Sequence, residues 1–397
     1  MNRKILTNAI LFGCLSSPAL VLADARTEAM GGAGTATGSY LAGAFYNPAL
    51  VAIYNRKDDF GIMLPAIGFE YQDINDMRDK VDGMQDTIKG LDISDPVAVN
   101  NAVNELKSLD GTRFLIRGGI AGSIAIPNQY ISASLFAQSY VEAIALPHIA
   151  TSIAGDDAVE KEIRPIYDTT VTLTGFQVNE IGIALARYVQ LFGQHFTVGV
   201  SPKYQYFGAY NYTAAVEDFD VDKYSDDKVT DDAFNVDVGV IWFYGPFRLG
   251  LAGKNLIKQE LVTENVTVTT TGPSSYPAYT PTVSNYQYTY EIKPLYTVGG
   301  AFETHYFTLT TDIDLNKETR FKNFDDDTRM LRMGAEFNLL GQIQLRGGYR
   351  IDLEDNLEDT YTAGIGFSPG DMFRLDVAAS YANADAAGVS MNWSFAF

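Results

Sequence analysis

Six charged residues near the C-terminal end have the types and spacing to do chemistry: Arg332, Glu336, Arg346, Arg350, Arg374 and Asp376. Each lies in a stretch that alternates between apolar and polar residues. Leu331, Met333, Ala335 and Phe337 are backed by Arg332, Gly334 and Glu336. Ile343, Leu345, Gly347, Tyr349 and Ile351 are backed by Gln344, Arg346, Gly348, Arg350 and Asp352. Phe373, Leu375, Val377 and Tyr381 are backed by Arg374, Asp376 and Ser380. A row of guanidinium groups can hold the acid head of a small molecule, because arginine presents a rigid fork of donors to a carboxylate. The plainer role is bracing by Glu336, Asp352 and Asp376, and the spacing favours it.

Other chemistry has weak support. His148, His195 and His305 lie far apart, two of them at expected turns or strand starts. Asp218-x-Asp220-x-Asp222 has the opening spacing of a calcium loop. Yet Lys223 stands where glycine is needed, and Val229 where a glutamate should close the site. That leaves at most a weak divalent-cation bridge between loops or to lipopolysaccharide phosphates, and the acidic runs 325–327 and 352–359 read alike. The stretch 31–38 (GGAGTATG) contains neither glycine pattern of a phosphate loop. The sole cysteine, Cys14, lies in the leader described next, so the mature chain lacks thiol chemistry. No enzyme activity, catalytic residue, metal or cofactor is expected.

The elements that carry the charges are strands, since a period of two belongs to the pleat. In lipid every backbone donor must be paired, and strands achieve that only in a closed barrel. The charged rows must then face inward, because arginine on the lipid face near the midplane costs roughly 2–4 kcal/mol. The last ten residues, GVSMNWSFAF, repeat the pattern and end on an aromatic. Trp393, Phe395 and Phe397 form an outward apolar row, and a C-terminal strand ending in Phe resembles the signal by which the barrel assembly machinery of Gram-negative bacteria recognises outer-membrane barrels. At the other end, Asn2, Arg3 and Lys4 precede an apolar run broken by Thr7, Asn8, Ser16, Ser17 and Pro18, which reads as a signal peptide over 1–23.

Composition agrees. The chain has 24 Tyr, 23 Phe and 35 Gly, and its mean hydropathy of −0.05 suits alternating strands better than apolar helices. A formal charge of −20 argues against nucleic acid, whose phosphates need a basic surface.

The expected fold is all-β: a transmembrane antiparallel β-barrel of about 14 strands over 58–397. The strands are expected near 59–71, 112–126, 130–146, 169–189, 195–213, 234–244, 247–257, 295–303, 306–315, 329–339, 343–352, 360–367, 373–382 and 388–397. Tight turns (127–128, 191–194, 245–246, 304–305, 341, 368–371) alternate with long or acidic connections, as outer-membrane barrels treat their two rims. A soluble sandwich has no reason to segregate its loops in this way. The longest connection, 258–293, reads as irregular. A small helical insert is expected over 74–109, where Ile74, Met77, Val81, Met84 and Ile88 recur at helical spacing before a second helix at Asp95-Pro96. It should sit over the extracellular mouth.

The segment 24–57 is rich in small residues. Gly31, Gly32 and Gly34, followed by Asn47-Pro48-Ala49, resemble the start of FadL-type outer-membrane proteins, the long-chain fatty acid transporter family. The glycine-rich start together with the acidic helical insert most resembles the TraF-like barrel proteins named after the F-plasmid transfer operon. The resemblance implies that 24–57 is a hatch inside the barrel, with Asn47-Pro48-Ala49 at its tip. It also implies a lateral exit at a kink in the third strand, for which 130–146 offers no Gly or Pro.

Two functions follow as expectations. The first is passage of a hydrophobic, fatty-acid-like molecule across the outer membrane. The alternative is a surface interaction or structural component associated with conjugal transfer, working through the helical insert and 258–293. The expected partners are outer-membrane lipids and lipopolysaccharide, the barrel assembly machinery and a hydrophobic ligand. An apolar pocket beside the hatch would favour the first reading, and a solid lumen with an exposed apolar helix face the second.

Overall fold

The computed structural model describes residues 24–151, 158–220, 228–322, 324, 326–339, 341–370 and 372–397. The expected signal peptide lies outside the described residues, as do Asp222, Lys223, Asp325 and Asp371. The strands in chain order are β1 (Gly61–Ile74), β2 (Arg113–Ile126), β3 (Ser132–His148), β4 (Thr170–Leu191), β5 (Gln194–Ala215), β6 (Val229–Tyr244) and β7 (Phe247–Lys254). Four short strands follow: β8 (Gln259–Val262), β9 (Val266–Thr270), β10 (Thr282–Tyr286) and β11 (Thr289–Ile292). Then come β12 (Leu295–Glu303), β13 (Phe307–Asp314), the two-residue β14 (Phe321–Lys322), β15 (Met330–Leu339), β16 (Ile343–Asp352), β17 (Thr360–Phe367), β18 (Phe373–Asn383) and β19 (Ala386–Ala396). Fourteen of these close an antiparallel barrel, with β1 paired to β19.

Alternation places the apolar rows outward. Ile67, Ile120, Ile183, Leu251, Phe337 and Val389 are all exposed, while their neighbours along each strand face the bore. The height of the wall is uneven. β4 and β5 each have 22 residues and β13 and β17 only 8, so at about 3.3 Å per residue one side runs to roughly 70 Å and the other to about 26 Å. β3 pairs without a break on both sides. The irregularity is in β1, where Met63 pairs with Ser394 and Ser123, but the next pairs are Ile67 with Met391 and Ala66 with Ala121. The extra residue falls at Leu64-Pro65, and proline has no N–H for the ladder.

The structure corrects several expectations. Ile74 ends β1 instead of starting a helix, and Asn75 and Asp76, both at positive φ, turn the chain into the helix Met77–Gly90. β6 begins at Val229, and β7 stops at Lys254. The β18–β19 connection is only Ala384-Asp385, although it lies on the long-loop rim. The stretch 258–293 is not irregular: β8 and β11 join β14 in a three-stranded sheet, and β9 pairs with β10. Sequence reading cannot see such pairing, because Tyr290 meets Phe321 from a loop 31 residues on (321 − 290).

The helical insert also sits elsewhere. In β4 the even row (Phe176, Val178, Glu180) faces the bore and the odd row (Ile181, Ile183) faces out. Val171 and Leu173 belong to the outward row, and they are buried under Val81, Met84, Leu106 and Ile163. The helices Met77–Gly90, Pro96–Lys107 and Ala158–Asp168 therefore clamp the outer face of the tall wall, beyond the apolar band. Inside, Leu261, Tyr290, Ile292 and Phe321 pack on Phe176 and Phe207 and fill the mouth.

Candidate binding chamber

The segment 24–57 lies within the bore, because it touches the inner faces of strands all around it. A Cβ on Gly199 would overlap Pro48, one on Gly239 Asn47, one on Gly250 Thr35, and one on Gly334 or Gly348 Met30. These inward glycines let the segment's backbone reach the wall. Asn47 is fully buried: its Nδ2 donates to the Thr35 carbonyl at 2.9 Å, and its Oδ1 accepts from Ala49 N–H at 3.1 Å. Gly31 N–H donates to Thr362 Oγ1 at 2.9 Å; positive φ at Gly31 and Gly32 turns the chain back along the wall. Gly34 has no room for a side chain between Thr27 and Tyr46. Below Pro48, the cluster of Phe45, Leu50, Phe136 and Met63 is apolar.

Above the segment lies a chamber of about 130 Å³. Its floor includes Glu28, Thr35 and Tyr46, and its upper wall includes Tyr140 and Arg320. Over it, the Tyr290 ring stacks on Phe176 at 4.5 Å and meets Phe321 at 5.5 Å. The chamber is not the apolar pocket that a purely hydrophobic ligand needs. Its lining carries the cations Arg117, Lys203, Lys254, Arg320, Arg332 and Arg350, with Glu28, Glu180, Asp237, Asp312, Asp314 and Glu318.

The arginines read from the sequence are braced, with a partner set that differs from the expected one. Arg346 reaches Glu336 and Asp376, each at 2.7 Å. Arg332 instead pairs with Asp314 at 2.8 Å, and Arg350 with Glu70 at 2.7 Å and Glu28 at 3.5 Å. Asp352 contacts no arginine side chain among the described residues: it accepts the backbone N–H groups of Arg329, Glu354, Asn356 and Leu357. Arg374 is half-buried and has no ion pair among them. Glu336 also holds Arg26 of the inner segment. Sequence reading missed Arg26, Glu28, Glu70, Arg117, Lys203 and Lys254; inward parity along β1, β2, β5 and β7 was the available signal that four of these (Glu70, Arg117, Lys203, Lys254) face the bore, but their partners are set by closure of the barrel.

Trp393 and Phe395 lie on the outer face, partly exposed, and the β1 and β19 ends are tied by Phe397 N–H to Phe60 carbonyl at 2.8 Å. His148 stacks on Tyr286 in the cap formed by β8 to β11 and β14, His195 on Tyr188, and His305 lies against Tyr306 at a turn. Among the described residues no group of three or more His, Cys, Asp or Glu is placed to hold a metal.

Residues 44–314 match the family described as F plasmid transfer operon, TraF, protein. No curated protein is similar to the chain at a significant level. A deltaS2S3 mutant of the TodX monoaromatic hydrocarbon channel superposes with a TM-score of 0.56 at 12% identity, covering 94% of this chain and 98% of that one. The Ralstonia pickettii toluene transporter TbuX gives 0.51 at 11%, covering 94% and 97%. The Pseudomonas putida toluene transporter TodX gives 0.50 at 11%, covering 95% and 97%. At such identities the likeness establishes the fold, a fourteen-strand barrel of the FadL type, as found in outer-membrane proteins.

Proposed function

The chain belongs to the F plasmid transfer operon TraF protein family, and from that premise we propose that it is a Gram-negative outer-membrane barrel admitting a small amphipathic molecule. The observation that carries this reading is the chamber between the buried segment 24–57 and the charged inner wall of the barrel. An apolar portion would lie against Phe45, Tyr46 and Tyr140 of the lining, and a charged portion would meet its charged side chains. The segment then acts as a hatch, since Asn47, Pro48 and the glycines fix it to the wall. The likeness to hydrocarbon channels supports passage of organic molecules, but this lining suits one with a polar group better than toluene itself. The β1 bulge supports β1, backed by Tyr40, Leu41 and Met63, as the side for any exit into the membrane.

Mass spectrometry of the protein purified in mild detergent tests this. A reproducibly retained small amphipathic molecule supports the reading. No retained molecule, together with no uptake into liposomes carrying the protein, overturns it.

The family match favours a second reading, a surface component associated with conjugal transfer. The helices clamped on the tall wall supply a surface for it, though their apolar residues are mostly turned inward and Val97 is the main exception. A mating defect on deletion, without any retained ligand, would support it.

A further inference from the structure

Five of the six cations around the chamber are already neutralised. Arg117 pairs with Glu70 at 3.5 Å, Lys203 with Asp237 at 2.9 Å and Glu180 at 3.2 Å, and Arg320 with Glu142 at 2.7 Å. Arg332 and Arg350 have the carboxylates named above. Lys254 differs. It is the last residue of β7, it lines the chamber, and among the described residues its ammonium has no carboxylate within 4.0 Å and no hydrogen bond. Its ammonium lies over the face of the Tyr46 ring, 5.7 Å from Nζ to the centroid. Lys254 is half-buried, and a ring face compensates a partly desolvated ammonium only in part.

We propose that Lys254 is the specificity-determining contact of the chamber, and that its counter-ion is the carboxylate of a small organic monoanion. This rests on the passage reading above. The charge class follows from Lys254 itself, which has no ion pair among the described residues, whereas each of the other five cations of the lining holds one or two carboxylates. The size class follows from the volume: about 130 Å³ is close to the ~150 Å³ cavity that holds one benzene. The chamber therefore matches a molecule of benzoate size, and a long acyl chain would have to extend beyond it. The rings of Tyr46 and Tyr140 supply flat apolar surface beside the charge. An anion at Lys254 draws the ammonium off Tyr46, which belongs to the buried segment, so ligand and segment share one residue.

The test is calorimetric titration of the full-length barrel in detergent with benzoate and with benzyl alcohol, its near-isosteric neutral counterpart. The proposal expects benzoate to bind at least ten-fold more tightly. Lys254→Met should bring benzoate down to the level of benzyl alcohol and leave the alcohol unchanged, and Lys254→Arg should keep the preference. Equal affinities in the wild type, or an unchanged benzoate affinity in Lys254→Met, overturn the proposal while leaving the passage reading in place. If neither compound binds and nothing organic is retained, the passage reading itself fails. A heat-induced mobility shift in gels confirms that each variant is a folded barrel.

Discussion

Arg26 and Glu336 join the inner segment to the wall through two parallel hydrogen bonds, Nε to Oε2 at 2.9 Å and Nη2 to Oε1 at 3.2 Å. Arg346 takes the same Oε2 at 2.7 Å and continues to Asp376. One carboxylate thus neutralises an arginine of the segment and an arginine of β16. Removing one partner of a buried pair leaves an uncompensated charge. Glu336→Gln should therefore lower stability by about 3–5 kcal/mol, seen as a lower denaturation midpoint in tryptophan fluorescence. A shift near zero would mean that water already solvates this site.

Asn47 should matter to the segment more than to the barrel. Asn47→Ala leaves the Thr35 carbonyl and the Ala49 N–H without their partner, at about 1–3 kcal/mol. Amide exchange over 24–57 should accelerate while β15–β19 stay protected. Equal acceleration in both would show that the segment and wall unfold as one unit.

The segment's hold should also depend on pH. Burial pushes the Glu28 carboxyl up from 4.5 to about 7, against the pull of Arg350. A carboxyl raised in the folded state binds its proton more tightly there than in the unfolded chain. Its contribution is therefore full below about pH 4.5 and is lost as pH rises through about 7. Exchange protection over residues 24–34, corrected for intrinsic rates, should fall between those values. Glu28→Gln should remove this part of the pH dependence; an identical profile in the variant would contradict it.

Asp168 ties the outer clamp to the cap. It accepts from Tyr279 Oη at 2.7 Å, Thr282 Oγ1 at 2.9 Å, Arg164 Nη1 at 2.9 Å and Thr270 Oγ1 at 2.5 Å. Asp168→Ala should make the 264–287 stretch sensitive to protease added outside intact cells, with barrel stability unchanged. Protease resistance equal to the wild type would show that apolar packing alone holds the cap.

The sequence made the wall legible and left its contents obscure. Strands such as β15 and β16 alternate so regularly that their bounds and faces follow from local pattern, and tight turns such as Gly245-Pro246 separate them. The cap did not follow, because β11 pairs with β8 and β14 through contacts absent from any local window. The helices were recognised at Met77 and Pro96, but nothing local says which face of β4 they cover. The bracing of Arg346 was readable from Glu336 and Asp376. The partners of Arg350 were not, since Glu70 and Glu28 become its neighbours only once β1 closes on β19 and the segment enters the bore. Lys254 gave no signal beyond its inward position on β7, because its distinction is a partner that is missing in space.

The central claim is a sealed bore, and ion conductance across a planar bilayer tests it most directly. Gly239 faces Asn47 so closely that any side chain there must displace the segment's tip. The intact protein should show no steady conductance, whereas Gly239→Leu, still a folded barrel, should open stable channels. A large steady conductance in the intact protein, or equal silence in the variant, would contradict the account.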